Sequence, residues 1–365
     1  MIESHFGESS AWSVGVEEEL FIVDDETLEL APGVETLIAE TDGELPGLLK
    51  PELFASFVEL NTKVCGSVHE ALEALATLRR RASEVARRNG LALAASGSHP
   101  FSRPEEQQVL PEERYLNFVA YAGVSARRQA VCGLHVHVGM PSAEACQQAL
   151  EGVLPWLPVV LALSANSPYF AGEETGLAST RAEVLAQLPR SGGPPAFSSY
   201  REWEEFVERF VHVGLAEDHT RFWWDVRPHP TFGTLEVRMP DQPTSLPLTG
   251  AFAALVQALC VTALKEPVRP PSPRGDYAQN RWAALRFGPR AQLIHPDGDR
   301  LLGVPELADE LLERARPALR ELGSEQLVTV LEPARCEGDR QLEVGRERGL
   351  GPVVADAVER TLGSD

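Results

Sequence analysis

The sequence predicts an α+β fold, on three observations. Strand-like and helix-like stretches are mixed irregularly, without the βαβ rhythm of a doubly wound protein. Several of the strand-like stretches carry apolar residues on one side and Glu, His, Arg or Asn on the other, as strands with one polar face do. The chain has 365 residues and an apolar fraction of 43%, enough for a sizeable core.

Residues 13–23, within "SVGVEEELFIVD", read as a strand ended by the turn residues Asp24, Asp25 and Glu26. Residues 52–61, "ELFASFVELN", read as a second strand. Ser67 and Glu70 form a helix-start signature, and the amphipathic run behind them ends at Asn89-Gly90. "LALAASGSHPF" at 91–101 is a strand broken at Gly97, and a helix is expected over about 112–130. "GLHVHVGM" is the next strand, and a helix begins near Ser142 that Pro155 and Pro158 interrupt. Residues 171–198 are loop-like, and so long a loop in a compact domain is more often functional than idle. Ser199 and Glu202 start a helix reaching about Val213. "FWWDVRPHP" and "GTLEVRMPD" are two strands joined by a turn, and a long apolar helix covers about 246–265. A proline-rich break at 268–273 leads into a mostly helical last segment.

Alternation along these strands sorts their side chains. In the first, Gly15, Glu17, Glu19 and Phe21 share a face opposite Val14, Val16, Glu18, Leu20 and Ile22. Glu18, alone among apolar neighbours, is expected to be ion-paired or solvated. His135 and His137 share a face opposite Leu134, Val136 and Val138, and Glu236 and Arg238 oppose Leu235, Val237 and Met239. Glu59 pairs in the same sense with Asn61, and Asp225 with Arg227. One wet strand face is commonplace, but five faces bearing these residue types suggest one sheet surface lined with ligands. Buried carboxylates are costly unless something neutralises them, and cations between them would do so. Several carboxylates with one or two imidazoles and no nearby cysteine favour Mg²⁺ or Mn²⁺ over a closed zinc site. Carboxylates beside arginines suit polyphosphate chemistry.

Composition narrows the partners. A formal net charge of −21 argues against nucleic-acid backbones and anionic membranes, though not against ATP, since a bound divalent cation changes the local sign. Lys50, Lys63 and Lys265 are the only lysines, and there is no P-loop signature. The five cysteines form no C-x-x-C pair; with no signal segment and no apolar run read as membrane-spanning, a cytoplasmic protein with free thiols is expected. The "LRRRASEVARR" run reads as a solvated helix face, and His5, His69, His212, His219 and His295 as surface residues. Trp223 and Trp224 are expected as one rim and one core aromatic, and His99 either caps a turn or contacts a nucleotide.

Seven stretches in order, "GVEEEL", "FVELNTKVCGSV", "GSHPF", "GLHVHVGM", "GEETGLASTRAEV", "WWDVRPHPTFGTLEVRMPD" and "NRWAALRFG", resemble the carboxylate–amine ligase family, also called glutamate–cysteine ligase type 2. They span about residues 13–288, so residues 1–365 are expected to form a single catalytic domain whose part at 289–365 carries no motif. The resemblance implies a glutamine-synthetase-like catalytic fold, a curved and largely antiparallel sheet forming a funnel with helices outside. It also implies ATP- and Mg²⁺-dependent amide formation between a glutamate-like carboxylate and an amine or amino acid, through an acyl phosphate, and by family analogy a homodimer. On the resemblance, Glu17, Glu19, Glu59, His135 and Glu236 are metal ligands and His137 binds nucleotide or substrate. Arg238, Arg227 and Arg181 would serve phosphate or carboxylate, Arg181 by closing from the long loop. His99, Asn280 and Arg286 would lie at the nucleotide-site rim. Two other readings stay open at this point: a metal-dependent hydrolase using the H-x-H strand, and a non-catalytic nucleotide-binding protein.

Overall fold

A computed structural model of the chain describes residues 2–41, 43–266 and 271–363. In chain order the elements begin with β1 (Val14–Asp24), α1 (Val34–Glu40), β2 (Gly47–Pro51), β3 (Phe57–Thr62), α2 (Val68–Arg88) and β4 (Leu91–Ala94). There follow α3 (Glu113–Ala122), α4 (Val124–Arg127), β5 (Leu134–Gly139), α5 (Ala143–Val153), α6 (Leu157–Ser164), β6 (Tyr169–Phe170), β7 (Glu173–Glu174), α7 (Thr180–Leu185) and α8 (Tyr200–His212). The remainder comprises β8 (Val226–His229), β9 (Thr234–Val237), α9 (Leu246–Lys265), α10 (Arg274–Phe287), β10 (Gln292–Ile294), β11 (Leu301–Gly303), α11 (Val304–Glu321), α12 (Glu337–Arg348) and α13 (Leu350–Thr361).

The main sheet has the order β2-β3-β1-β5-β9-β8, with β4 also paired to β1, and every pairing is antiparallel. Its apolar face carries Val14, Val16, Leu20, Ile22, Val58, Leu60, Val136 and Val237, each at most 1% exposed. Helices α2, α5 and α9 pack on that side. Helix α9 is apolar all round because it is enclosed on all sides, with every residue from Thr249 to Ala263 buried. By length and composition both it and Ala143–Ser164 could cross a bilayer, which corrects the expectation of no such run; 78% and 83% of those stretches are buried inside the fold.

The helix starts follow their caps. Ser67 accepts from Glu70 N, Ser142 from Ala145 N and Ser199 from Glu202 N. Elsewhere local signals mislead. The expected helix over 112–130 is two, because Gly123 at φ +59° breaks it. The strand expected at 52–61 begins only at Phe57, and the one at 91–101 stops at Ala94. The long loop 171–198 contains α7, whose N-cap Ser179 accepts from Ala182 N. Part of the proline-rich break, 267–270, lies outside the described residues.

One residue on the apolar side of β1 is charged. Glu18 is fully buried and takes a two-pronged ion pair from Arg79 of α2, Nε to Oε2 at 2.8 Å and Nη2 to Oε1 at 2.6 Å. Gln242 and Thr249 also donate to it, and Arg79 Nη1 donates to the carbonyls of Thr244 and Thr361. Arg79 is therefore no part of a solvated helix face. Its charge is needed to match Glu18, while its neighbours Arg80 and Arg81 follow the amphipathic pattern. Removing one partner of such a pair strands a buried charge, so Arg79→Met should destabilise the fold by ~3–5 kcal/mol in urea unfolding. Glu18→Leu combined with Arg79→Met should recover most of that loss; an unchanged midpoint in the single variant would contradict the pairing.

Candidate active site

Register builds the site on the other face of the sheet. Glu17 lies opposite Asn61 on β3 and His135 on β5, Glu19 opposite Glu59, and Gly15 opposite His137. His137 lies opposite Glu236 on β9, which lies opposite Arg227 on β8. Directly opposed residues share a face, so a row of ionisable groups crosses five strands. Three sets of side-chain ligand atoms come within 4.8 Å of one another: Glu17, Glu59 and His135; Glu17, His137 and Glu236; Glu19, Glu52 and Glu59. Glu52 was not expected. It precedes β3 in the irregular turn that reads as strand from sequence, and its one signal was an acid heading the apolar run "LFASF".

The electrostatics of this row are unbalanced. Burial first, then the charges of Glu17 and Glu52, push the Glu59 carboxyl well above its ordinary range. Burial and Glu19 lift Glu52 to about 7. Burial also works against ionised Glu17, but the His137 and His135 imidazoles outweigh it and hold that carboxyl low. Glu236 is buried yet held well below the usual range by Arg227 and Arg238. One end of the row is thus clamped by guanidinium groups, and the other is crowded with carboxylates. Two imidazole nitrogens in the middle, His135 Nε2 and His137 Nε2, are buried without a hydrogen-bond partner. They stand 3.6 Å from Glu19 Oε1 and 3.5 Å from Glu17 Oε1, too far for good hydrogen bonds. Orphaned imidazoles facing uncompensated carboxylates fit divalent cations. No cysteine joins any of the three sets, and the oxygen-rich donors suit Mg²⁺ or Mn²⁺.

The arginines differ in role. Arg238 bonds Glu236, lines the cavity beside Glu19 and is raised above its ordinary value, since Glu236 overrides burial. Arg227 is mostly spent: Nε and Nη2 hold Glu236, and Nη1 holds the carbonyls of Thr220 and Phe222. Four of its five N–H donors are committed in this way, so it is placed to orient Glu236, a different task from the substrate contact expected of it. Arg181 is not on a mobile loop; it belongs to α7, is 2% exposed, and donates to the carbonyls of Met239 and Arg238. A Cβ on Gly133 would collide with its guanidinium, so glycine is required there. Its Nε remains without a partner.

Other expected site residues sit elsewhere. His99 caps a turn, accepting from Ser102 N and facing the Leu28 carbonyl, and burial pushes it down to about 4. Asn280 clips the backbone of Ile294 through both side-chain atoms, and Arg286 reaches the Gly176 carbonyl. Asp225 turns away from the row to Tyr277 and Arg281. His295 and His219 are buried, not on the surface; His219 and His229 gather beside His137, with ring centroids 4.9 and 5.5 Å apart in sequence. Neither enters a ligand set. Trp224 is core and Trp223 lines a cavity, as expected, and all five cysteines are free and buried.

Two cavities flank the row. The smaller, about 120 Å³, meets Glu19, Glu52, His135, Arg181 and Arg238 and is walled by aromatic side chains. The larger, about 470 Å³, meets Glu17, Asn61 and His137 together with Lys50, Lys63 and Phe232.

An antiparallel sheet with helices on its apolar face and a row of acids and imidazoles on the other is the frame of this site, and comparison with known proteins identifies the chain as a ligase. The family model for glutamate–cysteine ligase family 2 matches residues 13–348, and the chain belongs to that family. A Rubrobacter xylanophilus protein named "Putative glutamate--cysteine ligase 2-3" is 43% identical over 99% of this chain and 100% of its own. A Solibacter usitatus protein of the corresponding name is 35% identical over 96% of this chain and 93% of its own. Among solved structures, glutamate–cysteine ligase from Francisella tularensis in complex with AMP superposes with a TM-score of 0.70 at 14% identity, covering 97% of this chain and 89% of that one. A bifunctional glutathione synthetase from Pasteurella multocida gives 0.71 at 14% identity, over 96% of this chain and 52% of that one. At such identity the likeness is one of fold.

Glu52 makes cation binding at the row testable. Between its unfolded value near 4.5 and its folded value of about 7, the folded chain holds a proton that the unfolded chain releases. Stability contributed by that proton falls as pH rises through this window. The chelator-treated protein should therefore melt lower at pH 8 than at pH 6. Glu52→Gln should flatten the difference, and millimolar Mg²⁺ should raise the melting temperature of the wild type more than that of the variant. Equal pH dependence and equal Mg²⁺ response in both proteins would rule Glu52 out of the cluster.

Proposed function

We propose that this protein is an ATP- and Mg²⁺-dependent carboxylate–amine ligase. The observation that carries the reading is the position of the ligand row between two unlike cavities, with Glu17 on the larger and Glu19 on the smaller. A polyphosphate reaching across the row from the roomier side would meet a carboxylate held on the other. Lys50, Lys63 and His137 suit the nucleotide side. Arg238 and the free Nε of Arg181 suit the carboxylate side.

The chain's own residues then have distinct tasks. Glu17, Glu59 and His135, with Glu19, Glu52, His137 and Glu236, would hold Mg²⁺. Bound there, the cation would neutralise phosphate oxygens and align the transferring group. Arg238 stabilises charge that develops on the γ-phosphoryl group as it passes to the substrate carboxylate, giving an acyl phosphate and ADP. Arg227 keeps Glu236 in place, and the buried Arg181 excludes water while orienting the acid. An amine then forms a C–N bond to the acyl carbon as the C–O bond to phosphate breaks; phosphate departs and the amine loses a proton. No enzyme nucleophile is needed.

Two substitutions test this. Glu17→Gln should abolish ADP release that depends on Mg²⁺ and amino acid, with the melting temperature kept within a few degrees, because that carboxylate serves cations and not the core. Normal turnover in that variant would remove Glu17 from the site. Arg238→Lys should lower kcat by about 10²-fold or more, since an ammonium cannot reproduce a planar fork; unchanged kinetics would exclude a role for the guanidinium.

A further inference from the structure

A third cavity, about 420 Å³, lies outside the smaller one and shares two wall residues with it, Phe118 and Trp223. Their rings are 5.4 Å apart, so a pair of aromatic side chains separates the outer space from the carboxylate side of the ligand row. Apolar Leu215 and Val211 and the Tyr121 ring complete much of its lining.

The one charge in it that no carboxylate of the described residues neutralises is Arg190; Arg221, the other arginine there, is paired with Glu217. The Arg190 guanidinium carbon hangs 5.5–6.0 Å from the ring centres of Phe222, Trp223, Tyr121 and Phe210. Nε donates to the Arg221 carbonyl at 3.0 Å and Nη1 to the Tyr121 hydroxyl at 3.3 Å, which leaves the Nη2 donors unused. The backbone of Arg190 is itself in the left-handed region, φ +58°, an unfavourable state for an arginine that the fold nonetheless imposes. The segment is pinned on both sides, by the Leu188 side chain in the inner cavity and by the Asp225 N to Gly192 carbonyl bond. In a chain of net charge −21, an unneutralised and pre-oriented guanidinium in an aromatic cup is a receptor for a carboxylate with an apolar body.

We propose that this outer cavity receives the amine substrate, and that the amine is an amino acid with an apolar or aromatic side chain whose carboxylate pairs with Arg190. The proposal rests on the ligase reading and adds the class of acceptor. Arg190 binds the acceptor from outside the reacting centre, and the Phe118 and Trp223 rings, which stand between the two cavities, must part for its amine to meet the acyl phosphate.

The experiment separates the two readings. Hydroxylamine, small and uncharged, traps an acyl phosphate as hydroxamate and needs no carboxylate receptor. Hydroxamate formation from glutamate that depends on ATP and Mg²⁺ is expected of the wild type; its absence across a panel of carboxylic acids would overturn the ligase reading and this one with it. Phenylalanine and phenethylamine, which differ by the carboxylate, are then compared as acceptors. The wild type should favour phenylalanine by at least about tenfold in kcat/KM. Arg190→Gln should erase that preference through KM, and Arg190→Lys should keep part of it. The loss for phenylalanine should exceed the loss for hydroxylamine at least tenfold. No preference in the wild type, a preference that survives Arg190→Gln, or equal losses with both acceptors would each overturn the assignment.

Discussion

The ion pair between Glu18 and Arg79 fixes which way β1 faces, and the site depends on that choice. A strand slipped by one residue would turn Glu18 to the wet side and Glu17 and Glu19 into the core. Three consecutive glutamates offer little resistance to such a slip by hydrophobicity alone. The buried guanidinium adds to the resistance that Val14, Val16, Leu20 and Ile22 already give, because only Glu18 can be opposite it while they remain packed. Its further bonds to the carbonyls of Thr244 and Thr361 tie the strand to the segment after β9 and to the end of α13.

From that orientation the rest of the site follows by antiparallel pairing. β1 and β5 contribute their ligands at positions two apart, and of the ligand sets only Glu52 comes from outside a strand. What loops and short helices add is asymmetry. Asp241 accepts from Ser167, Ser179 and Asn166 N, and through the Ser167 hydroxyl, which accepts from Arg181 N, it holds the start of α7 against the row. Guanidinium groups collect at the Glu236 end, and the Glu52 and Glu59 end is crowded with carboxyls that no guanidinium among the described residues clamps. Such a field has a direction, with anions drawn toward the arginines and cations toward the acids.

The strand faces were legible in the sequence because a period of two survives without tertiary context, and Glu17, Glu19, Glu59, His135, His137 and Glu236 all follow from it. The family motifs supplied the fold and the ligase class. What was hidden depended on long-range contacts. Glu52 is placed by an irregular turn that has no period. Arg79 is one arginine among several on an amphipathic helix, distinguished only by a partner on a distant strand. Arg227 and Asp225 alternate like ligands, yet Arg227 is consumed by Glu236 and Asp225 is taken by α10. His99 and Asn280 carry functional-looking chemistry that the backbone of their own neighbourhood uses up.

The reach of Arg79 to Thr361 has a bearing on how the molecule comes into being. Every metal-ligand candidate has been translated once Glu236 leaves the ribosome, but α13, which closes over Arg79 and whose Thr361 hydroxyl accepts from Ala95 N beside β4, is synthesised long afterwards. Until then the buried pair of Glu18 and Arg79 lacks part of its cover. The last helix is thus a closing piece on the apolar side of the sheet, added after every strand that carries an acid of the row.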